Sequence, residues 1–297
     1  MAEKQKVLFG TSGWSYEDWR GVFYPEKMPR GTNDLEYAAP YFDALEINST
    51  FYRPAYPNMA RSWARRTRKD FQFTAKLLQR FTHNREERWT KEEADEFKRG
   101  IAPLAEAGKF GGLLVQFPWS FKNTPEERAW LEAVVEEFKE FPLFVEVRHD
   151  SWRTDEFFGY LNDAGIGFVD IDQPLFGRSI PPMEKVTGKR GYVRLHGRNA
   201  EEWFKEDAGR DERYNYLYNE DELKEWVERI RKLSENTEKV FVFNNNHYRG
   251  QAAVNSLELK SLFERAKVTV PRTLLEAFPR LEKIAAESGG EAQGRLV

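Results

Sequence analysis

The chain has 297 residues, enough to bury a large core, and its 46 Lys and Arg nearly balance its 49 Asp and Glu. This balance argues against the overall positive field of a nonspecific nucleic-acid binder, while leaving room for a local basic patch. The absence of cysteine excludes disulfides, thiolate metal sites, iron–sulfur clusters and a cysteine nucleophile. The sequence contains neither a signal-peptide pattern nor an apolar run of 18 residues, so we expect a soluble cytoplasmic protein without membrane contact.

Eight short runs with strand-like composition recur along the chain. They are VLFG (7–10), ALEIN (44–48), FQFTAK (71–76), GLLVQF (112–117), LFVEVR (143–148), GFVDID (167–172), YVRLH (192–196) and VFVFN (240–244). Helical patterns lie between most of them, most clearly at 91–107, 124–138, 219–233 and 254–266. Thr124 before Pro125, and Asn219 before Glu220, are typical helix N-termini.

The alternation of strands and helices predicts an α/β protein with a parallel sheet. Eight strands favour one (β/α)8 TIM-like barrel formed by the whole chain, for which about 250 residues are typical. A doubly wound open sheet is the alternative, but its common nucleotide-binding versions lose support because the chain lacks a G-x-G-x-x-G or Walker loop. We expect the tail, residues 286–297, to be flexible.

Five strands alternate apolar with polar residues, whereas parallel strands covered on both faces are usually apolar throughout. In a barrel the consistent interpretation sends the apolar side chains outward and the polar ones into the lumen near the C-terminal mouth. The residues then predicted to converge are Glu46, Lys76, Glu146, Arg148, Asp170, Asp172, Arg194 and His196. The alternative is a salt-bridge network that only fills the lumen.

Three of the four histidines follow strands directly, namely His149, His196 and His247. His196 is the candidate general acid or base, since an imidazole titrates close to neutral pH. The carboxylates predicted to act with it are Glu46, Glu146 and Asp172.

Seven ordered motifs resemble the YecE-like family, a domain-of-unknown-function group also called DUF72. They are GTSGWSYEDWRGVFYP (10–25), ALEINSTFYRP (44–54), FQFTAKL (71–77), LLVQFPWSF (113–121), FVEVRHDSW (144–152), YVRLHGR (192–198) and VFVFNNNH (240–247). The resemblance extends from about residue 7 to about residue 265 and implies a TIM-barrel-like fold. The family is largely uncharacterised; its barrel has been likened to that of endonuclease IV, with a suggested DNA-binding role, which is an analogy of fold and does not fix function.

Metal-dependent phosphodiester cleavage needs clustered histidine and carboxylate ligands. A mixed oxygen and nitrogen site for Mg²⁺ or Mn²⁺ can be drawn from Glu46, Glu146, Asp170, Asp172 and His196. Tightly bound zinc is not expected, because H-x-H and H-E-x-x-H are absent. The nearby basic residues would repel a cation unless they neutralise a substrate phosphate.

Eight residues are predicted to bind the substrate. The cations Lys76, Arg148 and Arg194 would stabilise phosphate charge, the aromatic Trp14 and Tyr52 would stack on a sugar or base, and the amides Asn48, Asn244 and Asn246 would donate and accept hydrogen bonds. The long charged connection 197–218 is a candidate for closing over the ligand.

Residues 53–85 hold nine Lys or Arg and one Asp, interleaved with aromatic residues. Such a segment can bind a nucleic-acid backbone and stack a base. A solvated helix face balanced by acids elsewhere is the alternative.

The preferred function is an enzyme acting on a phosphorylated ligand, namely a nucleic-acid phosphodiester hydrolase or repair-type activity. One alternative is a carbohydrate isomerase or glycosidase that uses Glu46 and Glu146. Another is a non-catalytic DNA- or ligand-binding protein. The expected partner is a phosphate-containing small molecule or nucleic acid, and the sequence does not indicate an oligomeric state.

Overall fold

A computed structural model describes residues 6–200 and 210–286, and it contains the predicted barrel. Eight parallel strands pair in chain order and close into a ring. They are β1 (Val7–Ser12), β2 (Ala44–Ile47), β3 (Gln72–Lys76), β4 (Phe110–Gln116), β5 (Leu143–Glu146), β6 (Gly167–Asp172), β7 (Arg190–Leu195) and β8 (Lys239–Asn244). The TIM-like barrel and all eight predicted strands are confirmed. The predicted flexible tail falls almost entirely outside the described residues.

Ten α-helices lie within the described parts of the chain. They are α1 (Asp34–Ala38), α2 (Pro57–Arg65), α3 (Gln79–Thr82), α4 (Lys91–Glu106), α5 (Pro125–Phe138), α6 (Asp155–Asp163), α7 (Arg210–Arg213), α8 (Glu220–Glu235), α9 (Gln251–Glu264) and α10 (Arg272–Ala277). Short 3₁₀ segments occur at Glu17–Trp19, Ser49–Phe51, Asp150–Trp152, Tyr248–Gly250 and Pro279–Lys283. No helix in this part of the chain is long and apolar enough to cross a membrane.

The predicted helix starts are confirmed at α5 and α8. The Thr124 side chain accepts a hydrogen bond from the backbone N–H of Glu127, with a proline at the first position of α5. Asn219 and Glu222 form a reciprocal capping box at the start of α8. Each cap satisfies backbone donors that would otherwise lack partners, which stabilises a helix by about 1 kcal/mol.

The N-terminal part of the lumen is filled with apolar side chains. One buried cluster draws members from seven strands and therefore lies inside the ring: Leu8, Ala44, Leu114, Phe144, Val169, Ile171, Tyr192, Phe241 and Phe243. The outward side chains of most strands pack against the surrounding helices. Because apolar side chains fill the N-terminal end of the barrel, a ligand can enter the lumen only from the C-terminal mouth.

Strand β6 has the opposite orientation to the one predicted. Val169 and Ile171 belong to the lumen cluster, so Asp170 and Asp172 point outward. The prediction that these two aspartates enter the lumen is therefore wrong. Asp170 instead accepts hydrogen bonds of 3.0–3.1 Å from the backbone N–H groups of residues 183–185, which lie in the connection after β6.

Asp172 has polar partners on the same outer side. Both of its oxygens accept from Nε of Arg198, at 3.1 and 2.9 Å, and Nε1 of Trp226 on α8 donates to it at 2.8 Å. These partners satisfy a carboxylate that is almost completely buried, which removes the need for lumen neighbours.

The two asparagines predicted at the end of β8 also face in different directions from those predicted. Asn244 is level with Leu195, whose side chain faces the helices, and so it points away from the lumen. Asn246 donates to the carbonyl of Tyr216 and to Oδ1 of Asn255. The prediction that Asn244 and Asn246 bind the substrate is therefore not supported by their positions.

Candidate ligand site at the barrel mouth

A cavity of about 590 Å³ opens at the C-terminal mouth, among loops that follow β1, β2, β7 and β8. This volume is typical of a small-molecule site. Its walls include the aromatic side chains of Trp14, Phe51, Tyr52, Trp63 and Tyr214, and it is also lined by Lys76, Arg194, Asn48 and Asn245. Five of the predicted substrate-binding residues therefore line one cavity.

Arg194 is held between two carboxylates. Its Nη2 donates to Oε1 of Glu46 at 2.8 Å and its Nη1 donates to Oε2 of Glu146 at 2.6 Å, and all three side chains are no more than 2% exposed. Burial acts to lower the pKa of Arg194, but the two carboxylates raise it, so the guanidinium remains charged. The predicted convergence of these three residues is confirmed.

Further groups complete this network around each carboxylate. The hydroxyl of Tyr192 donates to Oε2 of Glu46 at 2.6 Å and lies 2.9 Å from Oγ1 of Thr74. Arg148, just beyond the end of β5, donates from Nε to Oε1 of Glu146 at 3.0 Å. Although burial acts to raise the pKa of Glu146, Arg194 and Arg148 hold that pKa well below its usual range.

His196 lies in this network and is fully buried. The side-chain amide nitrogen of Asn245 lies 2.9 Å from Nδ1 of His196. If Nδ1 accepts this hydrogen bond, the ring proton is on Nε2, which lies 3.6 Å from Oε1 of Glu146. Burial, together with nearby Arg194, lowers the pKa of His196 to about 3. The imidazole is therefore neutral at neutral pH, and acid–base catalysis by His196 stays a prediction that this environment does not favour.

Lys76 ends β3 and lines the cavity. Within residues 6–200 and 210–286 its ammonium has neither a hydrogen bond nor a carboxylate partner, and Nζ lies 3.8 Å from the ring centroid of Phe51. Burial, followed by the charge of Arg194, lowers the pKa of Lys76 to about 7. The neutral amine is therefore readily reached at neutral pH.

The charges around the cavity do not balance. Two carboxylates, Glu46 and Glu146, face two arginines, Arg194 and Arg148, and Lys76 adds a further positive charge when protonated. The buried Nε of Arg194 has no hydrogen-bond partner among the described residues. A surplus cation and an unused N–H donor both favour an anionic ligand.

Three of the five predicted Mg²⁺ or Mn²⁺ ligands, Glu46, Glu146 and His196, lie together, and the other two do not join them. Glu46 and Glu146 are engaged by arginines, while Asp170 and Asp172 lie outside the barrel. The described part of the chain contains no group of three or more His, Asp or Glu side chains that could hold a metal ion. The residues present do not fit a bound Mg²⁺ or Mn²⁺, because arginine side chains already surround the carboxylates in the lumen.

Asn245 and Tyr214 line the cavity but are not among the residues predicted to bind the substrate. Asn245 could have been found by continuing the alternation of β8, where Phe241 and Phe243 face the lumen. Tyr214, whose ring lies 5.0 Å from that of His247, belongs to the described part of the connection 197–218, which was predicted to close over a ligand, although no local pattern identified this residue.

Four of the nine basic residues in the stretch 53–85 are paired with neighbouring acids. Four ion pairs show this: Arg66 with Glu36, Arg68 with Asp43, Arg80 with Glu93 and Arg85 with Glu127. Arg53 is exposed and lines the mouth cavity. This arrangement favours the solvated, balanced face over a continuous nucleic-acid surface.

Solved structures with the same fold include proteins from two bacteria. A DUF72 family protein from Thermotoga maritima MSB8 has a TM-score of 0.78 and 38% identity, covering 88% of this chain and 100% of its own. A DUF72 family protein from Enterococcus faecalis V583 has a TM-score of 0.77 and 26% identity, covering 87% and 95%.

Relatives known by sequence agree with these structures. The UPF0759 protein YunF of Bacillus subtilis (strain 168) is 31% identical over 273 residues, which are 87% of this chain and 95% of YunF. The UPF0759 protein YecE of Escherichia coli (strain K12) is 28% identical over 145 residues, 48% of each chain. The model for "Protein of unknown function DUF72" matches residues 8–280. The chain therefore belongs to the DUF72 family.

Proposed function

We propose that the mouth cavity binds a small ligand carrying a phosphate-class anionic group and a ring, and that the protein is an enzyme acting on that ligand. The observation that carries this proposal is the cavity-lining pair of Lys76 and Arg194, whose ammonium and Nε–H have no partner among the described residues. Polar groups kept unpaired in a nearly buried place gain most from a charged ligand, because solvent there screens the interaction poorly.

The aromatic wall supports the second half of the proposal. Trp14 and Trp63 pack edge to face with ring centroids 5.8 Å apart, and Tyr52 is 61% exposed at the rim. Rings held in this way offer flat surfaces for a sugar or a base. A sugar phosphate or a nucleotide combines both of the required chemical features.

A separate observation favours phosphodiester hydrolysis at the end of a nucleic-acid strand. Tyr52 and Arg53 line the cavity, and Tyr56, which is 65% exposed, follows them in the chain. A single strand would stack on these rings while its terminal phosphate reaches the cations. Four other basic residues of 53–85 are paired with acids, which weakens such binding away from the mouth.

A glycosidase that uses Glu46 and Glu146 fits the geometry less well. The two carboxylates bind the same guanidinium, and the lowered pKa of Glu146 is opposite to the raised pKa that a general acid needs. Both carboxylates instead position Arg194.

Binding is tested by isothermal titration calorimetry with inorganic phosphate, ribose 5-phosphate and adenosine 5′-monophosphate. We expect affinity to increase from phosphate to the ring-bearing ligands and to fall at least about tenfold in Lys76→Met, which removes one buried charge–charge contact. Lys185→Met is the matched control, because Lys185 also lies over a phenylalanine ring, that of Phe158, but outside the barrel. Absence of anion binding by the wild type would overturn the proposal.

The reaction is tested separately by incubating single-stranded and abasic DNA with the protein, with and without Mg²⁺. Cleavage that is lost in Lys76→Met and retained in Lys185→Met would support hydrolysis at this site. Binding without cleavage of any phosphodiester would leave an anion site with a different reaction.

A further inference from the structure

We propose that Lys76 is a nucleophile that forms an imine with a carbonyl carbon of the ligand, so that the substrate class is a phosphorylated aldehyde or ketone. This inference rests on the proposed function, in which Lys76 and Arg194 attract the anionic group of the same ligand; once the imine has formed, Arg194 and Arg148 hold that group.

The three cations of the site are not equivalent. Arg194 is held by two carboxylates and Arg148 by one, so both are fixed and permanently charged. Among the described residues, Lys76 alone of the three has no carboxylate or hydrogen-bonding partner for its terminal nitrogen. An amine is available to attack a carbon only when its lone pair is not committed elsewhere.

The surroundings of Lys76 hold it at the cavity while leaving the nitrogen accessible. Oγ1 of Thr50 donates to the carbonyl of Lys76 at 2.7 Å, which fixes the backbone at the end of β3. The nitrogen lies 3.8 Å from the centre of the Phe51 ring, and both residues line the cavity. The ring face of Phe51 attracts an ammonium, whereas burial and the nearby Arg194 and Arg148 disfavour it. Burial beside other cations is how lysine nucleophiles are activated.

Other partly buried lysines of the protein show what a structural role looks like. Nζ of Lys109 donates to the carbonyls of Ala64 and Thr67, each at 2.7 Å. Lys260 is paired with Asp43 at 2.7 Å. Lys76 lacks this kind of contact within the described residues. Because it also lines the cavity, its position indicates a role in ligand binding and not in the fold.

The chemistry balances without a further reagent. The lone pair of the neutral amine attacks the carbonyl carbon, the nitrogen gives up a proton and the carbonyl oxygen gains one, forming a carbinolamine. Loss of the hydroxyl with one more proton as water leaves the imine. Protonation of the imine restores the positive charge that Lys76 carried, close to Glu146 and Glu46. The resulting iminium draws electrons from the adjacent carbon, which activates it for proton or carbon transfer.

The experiment uses the full chain with two aldehydes, pyridoxal 5′-phosphate and pyridoxal, followed by reduction with sodium borohydride and peptide mass spectrometry. We expect a reduced adduct on Lys76 that forms at least about tenfold faster at pH 7 than the adduct on Lys185, because burial and the nearby Arg194 lower the pKa of Lys76. Labelling of Lys76 should rise with a midpoint near pH 7. Lys76→Arg should lose this adduct, and Lys185→Met should keep it, with unchanged near-ultraviolet circular dichroism confirming the fold of both variants.

The two aldehydes separate this inference from the proposed function. An adduct on Lys76 that forms preferentially with the phosphorylated aldehyde and is blocked by inorganic phosphate supports both. Equal labelling by pyridoxal and its phosphate, with no protection by phosphate, keeps the imine but overturns the phosphate site. Stabilisation of the fold by pyridoxal 5′-phosphate without a faster adduct on Lys76 overturns the imine and leaves the phosphate site standing.

Discussion

Strands β6 and β7 are neighbours with the same alternation of apolar and polar residues, yet they turn opposite sets of side chains into the lumen. Ile171 and Arg194 are paired in register, so an apolar and a charged side chain enter the barrel at the same level. Asp170 and Asp172 leave it on the other side, while His196 follows Arg194 inward. Alternation therefore defines two faces of a strand but does not identify which face is inside.

The difference follows from the partners available on each side. Behind β6, the backbone N–H groups of residues 183–185 and the side chains of Arg198 and Trp226 satisfy the two outward carboxylates. Inside the barrel, Arg194 meets Glu46 and Glu146. A buried charge is stable only where its hydrogen bonds can be completed. These partners lie outside the barrel for β6 and inside it for β7.

The largest effect is expected from breaking the inner network with Arg194→Met. Removal of the guanidinium leaves Glu46 and Glu146 buried without their shared partner, so the free energy of unfolding should fall by about 3–5 kcal/mol. Urea unfolding followed by circular dichroism measures this change. The triple variant Arg194→Met, Glu46→Gln, Glu146→Gln is the control and should recover much of the loss; a single variant within about 1 kcal/mol of wild type would contradict this account.

A smaller loss is expected from breaking the outer network with Asp172→Asn. An amide nitrogen would then face Nε of Arg198 or Nε1 of Trp226, so the free energy of unfolding should fall by about 2 kcal/mol. Phosphate affinity, measured by calorimetry, should not change because the side chain lies outside the barrel. A folded Asp172→Asn protein that no longer binds the ligand would show that the outer network takes part in the site.

Much of the fold could be predicted from the sequence, because regular spacing of strand-like and helical runs depends on local patterns. The convergence of Glu46, Glu146 and Arg194 could be predicted for the same reason, since each follows apolar neighbours at a period of two toward the end of its strand. Lys76 was placed correctly by the same argument.

The orientation of β6 could not be predicted in this way. It depends on residues 183–185, on Arg198 and on Trp226, which come after β6 in sequence and meet it only in the folded barrel. The role of Asn245 depends likewise on its contact with His196 across two strands. Polar partners distant in sequence determine both the orientation of β6 and the role of Asn245, and such partners produce no periodic pattern in the sequence.

A pH-dependent effect distinguishes His196 from a solvent-exposed histidine. Its pKa of about 3 lies below the ordinary value of 6.5, so the unfolded chain gains a proton here as the pH falls below 6.5 while the folded protein does not. Stability is therefore lost progressively between pH 6.5 and 3, at up to about 1.4 kcal/mol per pH unit. When the pH falls from 6.5 to 5, we expect the free energy of unfolding of His196→Asn, measured in urea, to decrease by about 1–2 kcal/mol less than that of wild type. Parallel curves for the two proteins in this window would contradict a neutral buried imidazole, and their slopes above pH 7 serve as the control.

The smallest effect, an increase in stability, is expected for Lys76→Met. Its pKa of about 7 lies below the ordinary 10.5, so the folded protein disfavours the ammonium that the unfolded chain carries, and wild type gains stability as the pH rises from 7 to 10. Replacing the amine by an apolar chain of similar length should raise the free energy of unfolding by about 1 kcal/mol at pH 7, after allowance for partial solvent access, and by less at pH 10. Lys185→Met should show no such gain at either pH. A Lys76→Met protein that is less stable than wild type at pH 7 would mean that the ammonium has a structural partner, whereas a more stable protein that no longer binds phosphate would show that Lys76 is retained for the ligand and not for the fold.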